Sequence, residues 1–233
     1  MLEPQSYPEL VARALVLDEE PFVDMADDDN PWVEGLLLVT TVGLFTGMAR
    51  FVGGWLTAAS LPDPNAVLTT LLDGWRQLAG ALSIAPAAAE GVATQVWAAS
   101  ALLNGYTGGP QVTALATTPA LLVIGWLFFG LLAFAVARAV GGQGSLSSTL
   151  GAAALMVAPQ VLHLVSLVPF VAVSGLLTTV WGVLIGYRAV QVAHDLSWQK
   201  ALVATLIPFA AAVAGIGLLG TAFALGFTAG GFR

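Results

Sequence analysis

Residues 139–187 read AVGGQGSLSSTLGAAALMVAPQVLHLVSLVPFVAVSGLLTTVWGVLIGY, a run of 49 positions without a single Asp, Glu, Lys or Arg. Two further uncharged runs cover residues 91–137 and 201–232. A helix that crosses a bilayer needs about 20 mostly apolar residues. A charged side chain at its centre costs about 2.5–3.5 kcal/mol on insertion scales. The run 139–187 is therefore long enough for two crossings, and the run 201–232 for one.

The composition of the whole chain agrees with these runs. Of its 233 residues, 58% are apolar and 9% are charged, and the mean hydropathy is +0.87. Soluble domains carry about 25% charged residues, so most soluble classes are excluded. The chain has no cysteine, which excludes disulfides, thiolate metal sites and cysteine nucleophiles. No basic stripe is present to neutralise phosphates, so we expect no nucleic-acid partner.

These observations predict an all-α, polytopic helical membrane protein. Backbone groups in lipid must be hydrogen-bonded within their own segment, which favours helices. Apolar runs bounded by proline, glycine and charge predict five crossings at about 32–59, 119–140, 148–168, 170–192 and 198–227. Asn30 and Pro31 give the first crossing a helix-start signal.

The segment between the first two crossings, 60–118, is predicted to be an extracytoplasmic insertion of interfacial amphipathic helices. Residues 65–83 place leucines on one helix face and polar side chains on the other, as in-plane helices do. Residues 87–103 fit either a second interfacial helix or a further crossing. The remaining crossings belong to one membrane domain, 32–233.

The N-terminal segment, 1–31, is predicted to be an acidic tail with a short amphipathic helix from Ser6 to Leu17. That helix lies on the membrane surface or packs on the helix bundle. Lys and Arg concentrate on the cytoplasmic side of membrane proteins. Arg138, Arg188 and Lys200 share a side with the N-terminus in a five-crossing topology, which predicts a cytoplasmic N-terminus.

Several motifs, in this order and spacing, resemble the bacterial branch of the Yip1-domain family. They are GGQGSLS at 141–147, a helix end at Ala158-Pro159-Gln160, a turn at Val168-Pro169, VWGVLIGYRA at 180–189, HDLSWQKA at 194–201, and an apolar helix with Pro208. Arg13-Ala14-Leu15, Leu17-Asp18 and Phe22 before the first crossing add to the likeness. The likeness covers nearly all of the chain except 60–118.

The resemblance implies a five-helix Yip1-like membrane domain in a bacterial cytoplasmic membrane. Eukaryotic relatives act in vesicle traffic and bind small GTPases. Their Asp-Leu-Tyr-Gly-Pro signature is not found in this sequence. For the bacterial branch the resemblance implies a fold without an assigned activity.

Arg50, Gln160 and His163 form a candidate polar cluster within the membrane. At 1.5 Å rise per residue, Arg50 lies about 22 Å beyond Gly35, and His163 lies about 20 Å beyond Leu150, so the two share a depth. Asp63, Asp73 or Glu90 could neutralise the arginine. The cluster is either a conduit or an anionic-headgroup site, or a helix-packing network with Arg50 extended toward the interface.

Three pairs of glycines have the small-xxx-small spacing that lets membrane helices approach closely. We expect them to pack helices within one chain, and a homodimer face is the alternative: Gly43/Gly47, Gly182/Gly186 and Gly226/Gly230. Interface anchoring suits Trp32, Trp55 and Trp198.

No catalytic constellation is recognisable within the crossings, so the chain is not expected to be an enzyme. Metal ligands and cofactors are not expected either, because the two histidines lie far apart. His194-Asp195 is interpreted as a helix end followed by the cap of the next helix. The acidic run 24–29 is interpreted as a solvated helix start, since it lacks the glycine and distal glutamate of a calcium loop.

The sequence therefore favours a non-enzymatic membrane scaffold or adaptor that binds protein partners or lipid. A small-solute transporter or channel that uses the Arg50 cluster is one alternative, and an accessory subunit of a larger membrane complex is another. The expected partners are the lipid bilayer and a protein partner or second copy of the chain.

Overall fold

The computed structural model describes residues 6–83, 90–91, 93–98 and 109–230, and within these the side chains of all but 109–111 and 223–230. All regular structure in these ranges is helical. Five of the described segments are long and apolar enough to cross a membrane: Pro31–Ser60, Val112–Ala139, Leu146–Leu167, Gly175–His194 and Trp198–Ala222. The predicted all-α polytopic class with five membrane-crossing helices is confirmed.

The helices follow one another along the chain with short connections. They are α1 (Tyr7–Leu15), α2 (Glu20–Asp27), α3 (Pro31–Ser60), α4 (Pro64–Ala81), α5 (Gly109–Ala139), α6 (Leu146–Ala153), a 3₁₀ segment (Ala154–Leu167), α7 (Gly175–His194) and α8 (Trp198–Gly230). Residues 90–91 and 93–98 are also helical. The rest of 87–103 lies outside the described residues.

Two membrane helices begin at positions that differ from the sequence prediction. The helix α5 begins ahead of Pro119 and continues through it; membrane helices tolerate interior proline where neighbouring groups accommodate it, and Pro119 packs against Gly43. The helix α7 begins after residue 170 because Phe170 adopts a left-handed φ of 66°. The Ser174 side chain then accepts a hydrogen bond from the backbone N–H of Leu177 at the new helix start.

The N-terminal segment contains a helix, α2, that the sequence analysis did not predict. Its Phe22 and Met25 side chains are completely buried, and the Met25 carbonyl oxygen lies where a Cβ on Gly151 would stand. The segment is therefore packed on α6 through the few apolar side chains of an otherwise acidic stretch.

The chain divides into two compact units. The first contains residues 1–43, 119–161 and 174–233, and the second contains 44–118 and 162–173. In the first, the indole N–H of Trp126 donates to the Leu150 carbonyl at 2.9 Å. Gly35 packs against both groups, since a Cβ there would lie 3.0 Å from each. Trp126, Leu155 and Ile185 are among the fully buried side chains of this core.

The second unit is held by backbone approach and polar contacts. A Cβ on Gly53 would overlap the Ser166 carbonyl oxygen, and the Phe170 N–H donates to Thr57 Oγ1 at 3.3 Å. On α4, Asp63 caps the helix start by accepting from the Asn65 N–H at 2.8 Å. The polar face of α4 contains Arg76, which donates to Asp73 at 2.8 Å and to Glu90 at 2.7 Å.

The third crossing changes from α to 3₁₀ geometry after Ala153. A 3₁₀ helix has three residues per turn and rises about 2.0 Å per residue, and long runs of it are uncommon. The change comes one turn after Leu150, whose carbonyl already accepts the Trp126 indole N–H. Pro159 within the segment donates no backbone hydrogen bond, so regular α pairing is interrupted there as well.

Candidate functional site

The predicted polar cluster falls across the two compact units. Arg50 and His163 belong to the second unit, and the charge of Arg50 acts on the His163 ring. The Arg50 side chain is exposed, whereas His163 is partly buried. Gln160 belongs to the first unit. The 3₁₀ rise moves His163 about 4–5 Å further along its axis than α geometry predicts. The cluster of all three remains a prediction.

Four of the predicted packing glycines face other helices of the same unit. A Cβ on Gly43 would stand 2.7 Å from Pro119 Cα, and one on Gly47 would stand 2.9 Å from the Ala114 carbonyl oxygen. The corresponding positions on Gly182 and Gly186 lie 3.1 Å from the Met156 carbonyl oxygen and 3.0 Å from the Phe129 ring. Gly226 and Gly230 lie outside the residues whose surroundings are described.

A second polar site, which the sequence analysis did not predict, lies where the turn between α5 and α6 meets the end of α7. We call residues 141–145 the glycine turn. Gly141 has a φ of 98°, and the Gly142 N–H donates to the Ala137 carbonyl at 2.8 Å. The Gln143 N–H donates to the His194 carbonyl at 3.3 Å, which joins the turn to α7.

Glycine is required in this turn because the end of α7 leaves no room for a side chain. A Cβ on Gly142 would stand 2.8 Å from His194 Nδ1. A Cβ on Gly144 would overlap the Ala193 carbonyl oxygen and lie 3.0 Å from the same Nδ1. The two glycines therefore allow the imidazole to sit directly under the backbone of the turn.

The His194 ring is 1% exposed and has a defined tautomer. Thr149 Oγ1 donates its single proton to the Ser145 carbonyl at 2.6 Å, so at 2.8 Å from His194 Nε2 it acts as an acceptor. Nε2 therefore bears the proton and Nδ1 is an acceptor. No donor among the described residues reaches Nδ1. An unpaired buried acceptor costs about 1–3 kcal/mol, so this atom indicates a group still to be bound.

The unpaired nitrogen borders a cavity of about 360 Å³ between α2, the glycine turn and the end of α7. Five polar side chains line it: Asp27, Gln143, Ser148, His194 and Asp195. Two carboxylates therefore face the same space as an imidazole lone pair. We call this space the end cavity.

Two cations lie at the glycine turn beside the end cavity. Arg138 Nη1 donates to the Gly142 carbonyl at 3.2 Å. Lys200 Nζ lies 3.5 Å from the position that a Cβ on Gly141 would occupy. Both charges of this end of the first unit are thus concentrated within a few residues of Gly141.

The N-terminal helices close the end cavity and are fixed to the rest of the first unit by polar contacts. Arg188 donates to Glu19 at 2.5 Å, and the Trp181 indole N–H donates to the Leu15 carbonyl at 2.9 Å. Between α1 and α2, Arg13 pairs with Asp18 and Glu20, and its hydrogen bond lowers the pKa of Asp18.

A further contact joins α1 to the start of α3. The Tyr7 hydroxyl donates to Glu34 Oε2 at 2.6 Å, and Glu34 is 1% exposed. Burial, and then the bond to Glu34, raise the pKa of Tyr7 above its usual value.

Comparison with known proteins identifies the family. A family model described as the Yip1 domain matches residues 15–219. The chain belongs to the Yip1-domain family. The resemblance noted in the sequence is therefore confirmed, and the match also includes residues 60–118. Comparison with curated proteins and with solved structures finds no match.

The Yip1 match places the end cavity within the family domain. It begins at Leu15 and so includes α2, the glycine turn and the end of α7. Enzymatic activity is not associated with this family. The residues of this Yip1-domain protein that the structure describes contain no group of three potential metal ligands.

Sequence reasoning missed the end cavity because it interpreted His194 only as a helix end. That interpretation agrees with the structure as far as it goes: α7 ends at His194, and Asp195 caps it with a left-handed φ of 50°. The burial of His194 depends on a turn about 50 residues earlier. A glycine-rich turn followed by Thr149 is the available signal, and it does not specify a histidine partner.

Proposed function

We propose that this membrane protein of the Yip1 family is a non-enzymatic scaffold of a bacterial cytoplasmic membrane. Its N-terminus lies in the cytoplasm, where the helices α1 and α2 hold a basic partner protein. The observation that supports this most directly is that both helices are fixed to the first unit and leave an acidic edge exposed.

The fixed position of these helices comes from burial and from two directional bonds. Leu10, Ala14, Phe22 and Met25 are buried in the core of the first unit. The Trp181–Leu15 and Arg188–Glu19 contacts then set the orientation of the pair on α7. A preorganised surface loses less conformational entropy on binding than a mobile tail does, which suits a docking role.

The exposed edge combines acidic and apolar side chains. Glu9, Asp24 and Asp29 are exposed, Val16 is 76% exposed, and Val23 is also exposed. Charge complementarity between such an edge and a basic partner accelerates association and excludes acidic competitors. The partner expected from this chemistry is a protein with Lys or Arg around an apolar contact.

Site-specific photocrosslinking in native membranes tests the scaffold proposal. A photoreactive amino acid is placed at Val16, on the acidic edge, and as a control at Leu176, which is 75% exposed on α7. We expect a discrete protein adduct from Val16 that Leu176 does not give. The adduct decreases when Glu9→Gln and Asp24→Asn are combined. A protein adduct common to both positions, or lipid adducts alone at Val16, contradicts the proposal. An adduct with a second copy of the chain indicates a homo-oligomer instead of a partner.

The Arg50–His163 pair supports a second candidate, passage of a small anion. Arg50 acts on His163 within the second unit, and the adjoining 3₁₀ segment contains Pro159; interrupted helices often line transport sites. Anion flux into proteoliposomes that is lost in Arg50→Gln and kept in Arg76→Gln would favour transport. No flux above that of empty liposomes favours the scaffold. An accessory role predicts co-purification with a stable complex in mild detergent.

A further inference from the structure

The end cavity carries an inference that does not depend on the proposed protein partner. We propose that it binds the headgroup of an aminophospholipid, with the primary ammonium at His194, Asp27 and Asp195 and the phosphate at Arg138 and Lys200.

The unpaired His194 nitrogen asks for a donor. Nδ1 holds a lone pair because Thr149 fixes the proton on Nε2, and no described residue donates to it. Methylated amines have no N–H, whereas a primary ammonium has three. Among headgroup cations, a primary ammonium is therefore the one that satisfies this atom.

The charge of the cavity selects a cationic donor over a neutral one. Asp27 and Asp195 both line the space with His194. The helix α2 ends at Asp27 and α7 ends at His194, so two helix C-termini, each with partial negative charge, point to the same region. A hydrogen bond from an ionised donor to such a site is stronger than one from a neutral donor.

The two cations at the glycine turn supply the second half of the headgroup contact. Arg138 and Lys200 both lie at Gly141–Gly142, directly beside the residues that line the end cavity. Arginine and lysine are the usual phosphate partners in proteins. Carboxylates for an ammonium next to bases for a phosphate match a zwitterionic headgroup, whereas either group alone would suit a simpler ion.

The position along the helices favours a lipid as the source of this chemistry. The cavity lies where α5 ends at Ala139, α6 begins at Leu146 and α7 ends at His194. The ends of membrane-crossing helices lie at headgroup depth. Lipid headgroups are the most concentrated phosphate-and-ammonium groups at that level.

Binding of short-chain lipids to the full chain in detergent tests the proposal. Dihexanoyl phosphatidylethanolamine is compared with the phosphatidylcholine and phosphatidylglycerol of the same chain length, and with free O-phosphoethanolamine. We expect the ethanolamine lipid to bind about tenfold more tightly than each of the other three, since each lacks the N–H donor, the ammonium or the lipid chains. Equal affinity for the choline lipid overturns the ammonium assignment. Equal affinity for free O-phosphoethanolamine, or competition by a lysine-rich peptide at the same concentration, overturns the lipid assignment.

Variants that leave the buried histidine intact separate binding from folding. Asp27→Asn should weaken the ethanolamine lipid about tenfold and leave the glycerol lipid unchanged. The matched control is Asp24→Asn on the same helix, since Asp24 does not line the cavity. Lys200→Gln should weaken both lipids. An Asp27→Asn variant with wild-type preference contradicts the proposal.

The two histidines of the chain allow a direct readout. In ¹⁵N-histidine NMR spectra, the ethanolamine lipid should shift the Nδ1 resonance of His194, and the choline lipid should not. His163→Gln assigns the remaining signals to His194. A shift produced equally by both lipids, or confined to His163, overturns the assignment of Nδ1 as the acceptor.

Discussion

At the scale of single residues, Gly144 shows how the absence of a methyl group positions a polar site. Its backbone approaches the end of α7 so closely that a Cβ would overlap the Ala193 carbonyl oxygen. That approach also covers His194 Nδ1. The geometry of the end cavity therefore depends on a residue with no side chain of its own.

Replacing Gly144 by alanine should lower thermal stability in detergent. The added methyl group forces the turn away from α7, and overpacking of this kind costs about 1–3 kcal/mol. Gly74→Ala in α4 is the matched control, because a Cβ there meets nothing within 4 Å. Alanine in an exposed helix stabilises by about 0.5–1 kcal/mol over glycine. Equal unfolding temperatures for the two variants would contradict the close approach at Gly144.

Tyr7→Phe should destabilise the protein by about 1–3 kcal/mol at neutral pH. The reason is that Glu34, which is 1% exposed, loses the hydroxyl that donates to it. Because the folded pKa of Tyr7 is raised, the unfolded chain releases the phenol proton first as pH rises. The contribution of Tyr7 is thus complete below about pH 10 and is lost above it. The difference in unfolding free energy between wild type and variant should shrink above about pH 10, and a difference that grows there would refute this account.

At the scale of elements, predictability followed the strength of the hydrophobic pattern. The amphipathic segment predicted at 65–83 is observed as α4, Pro64–Ala81, because leucines recur on one face over several turns. Helix α2 has few apolar positions among acidic ones, so its period is hard to detect. Its burial depends on the surface around Gly151, which exists only after α6 has formed.

The change to 3₁₀ geometry after Ala153 was also beyond the sequence. Pro159 indicated an interruption, but the change occurs earlier, one turn after the carbonyl that accepts the Trp126 indole N–H. Nothing in residues 150–154 specifies that contact, because Trp126 comes from another helix.

Phe22→Ala should release α2 from the first unit. Truncating a completely buried phenylalanine costs about 3–5 kcal/mol, and much of that loss falls on a short helix with little stability of its own. Hydrogen exchange of residues 20–27 should accelerate strongly while α5 and α7 remain protected. Val23→Ala, at a neighbouring exposed position, should leave exchange unchanged. Global acceleration in both variants would show that α2 is not a separately released element.

At the scale of the whole molecule, the five crossings could be predicted because uncharged runs of this length have few other uses. The candidate sites could not be predicted to the same degree. Arg50 and His163 were related correctly as members of one region, since both are polar residues at similar depth. The end cavity needs α2, the glycine turn and α7 together, and these are distant in sequence.

An odd number of crossings places α4 on the opposite side of the membrane from the N-terminal helices. The chain has no cysteine, so single substitutions can be labelled without background. With a cytoplasmic N-terminus, an impermeant maleimide should label Thr70→Cys in intact cells and Asp24→Cys only in inverted vesicles. Labelling of both from the same side would contradict the topology.

The bonds that fix the N-terminal helices also set an order of events during biosynthesis. Trp181 and Arg188 come 166 and 169 residues after their acceptors, Leu15 and Glu19. At about 5–20 residues per second, the ribosome takes roughly 8–33 s to deliver them. Throughout that interval Phe22 and Met25 have no final seat, so the newborn chain must be shielded there until its fourth crossing emerges. Maturation should therefore be slowest at the end that is made first.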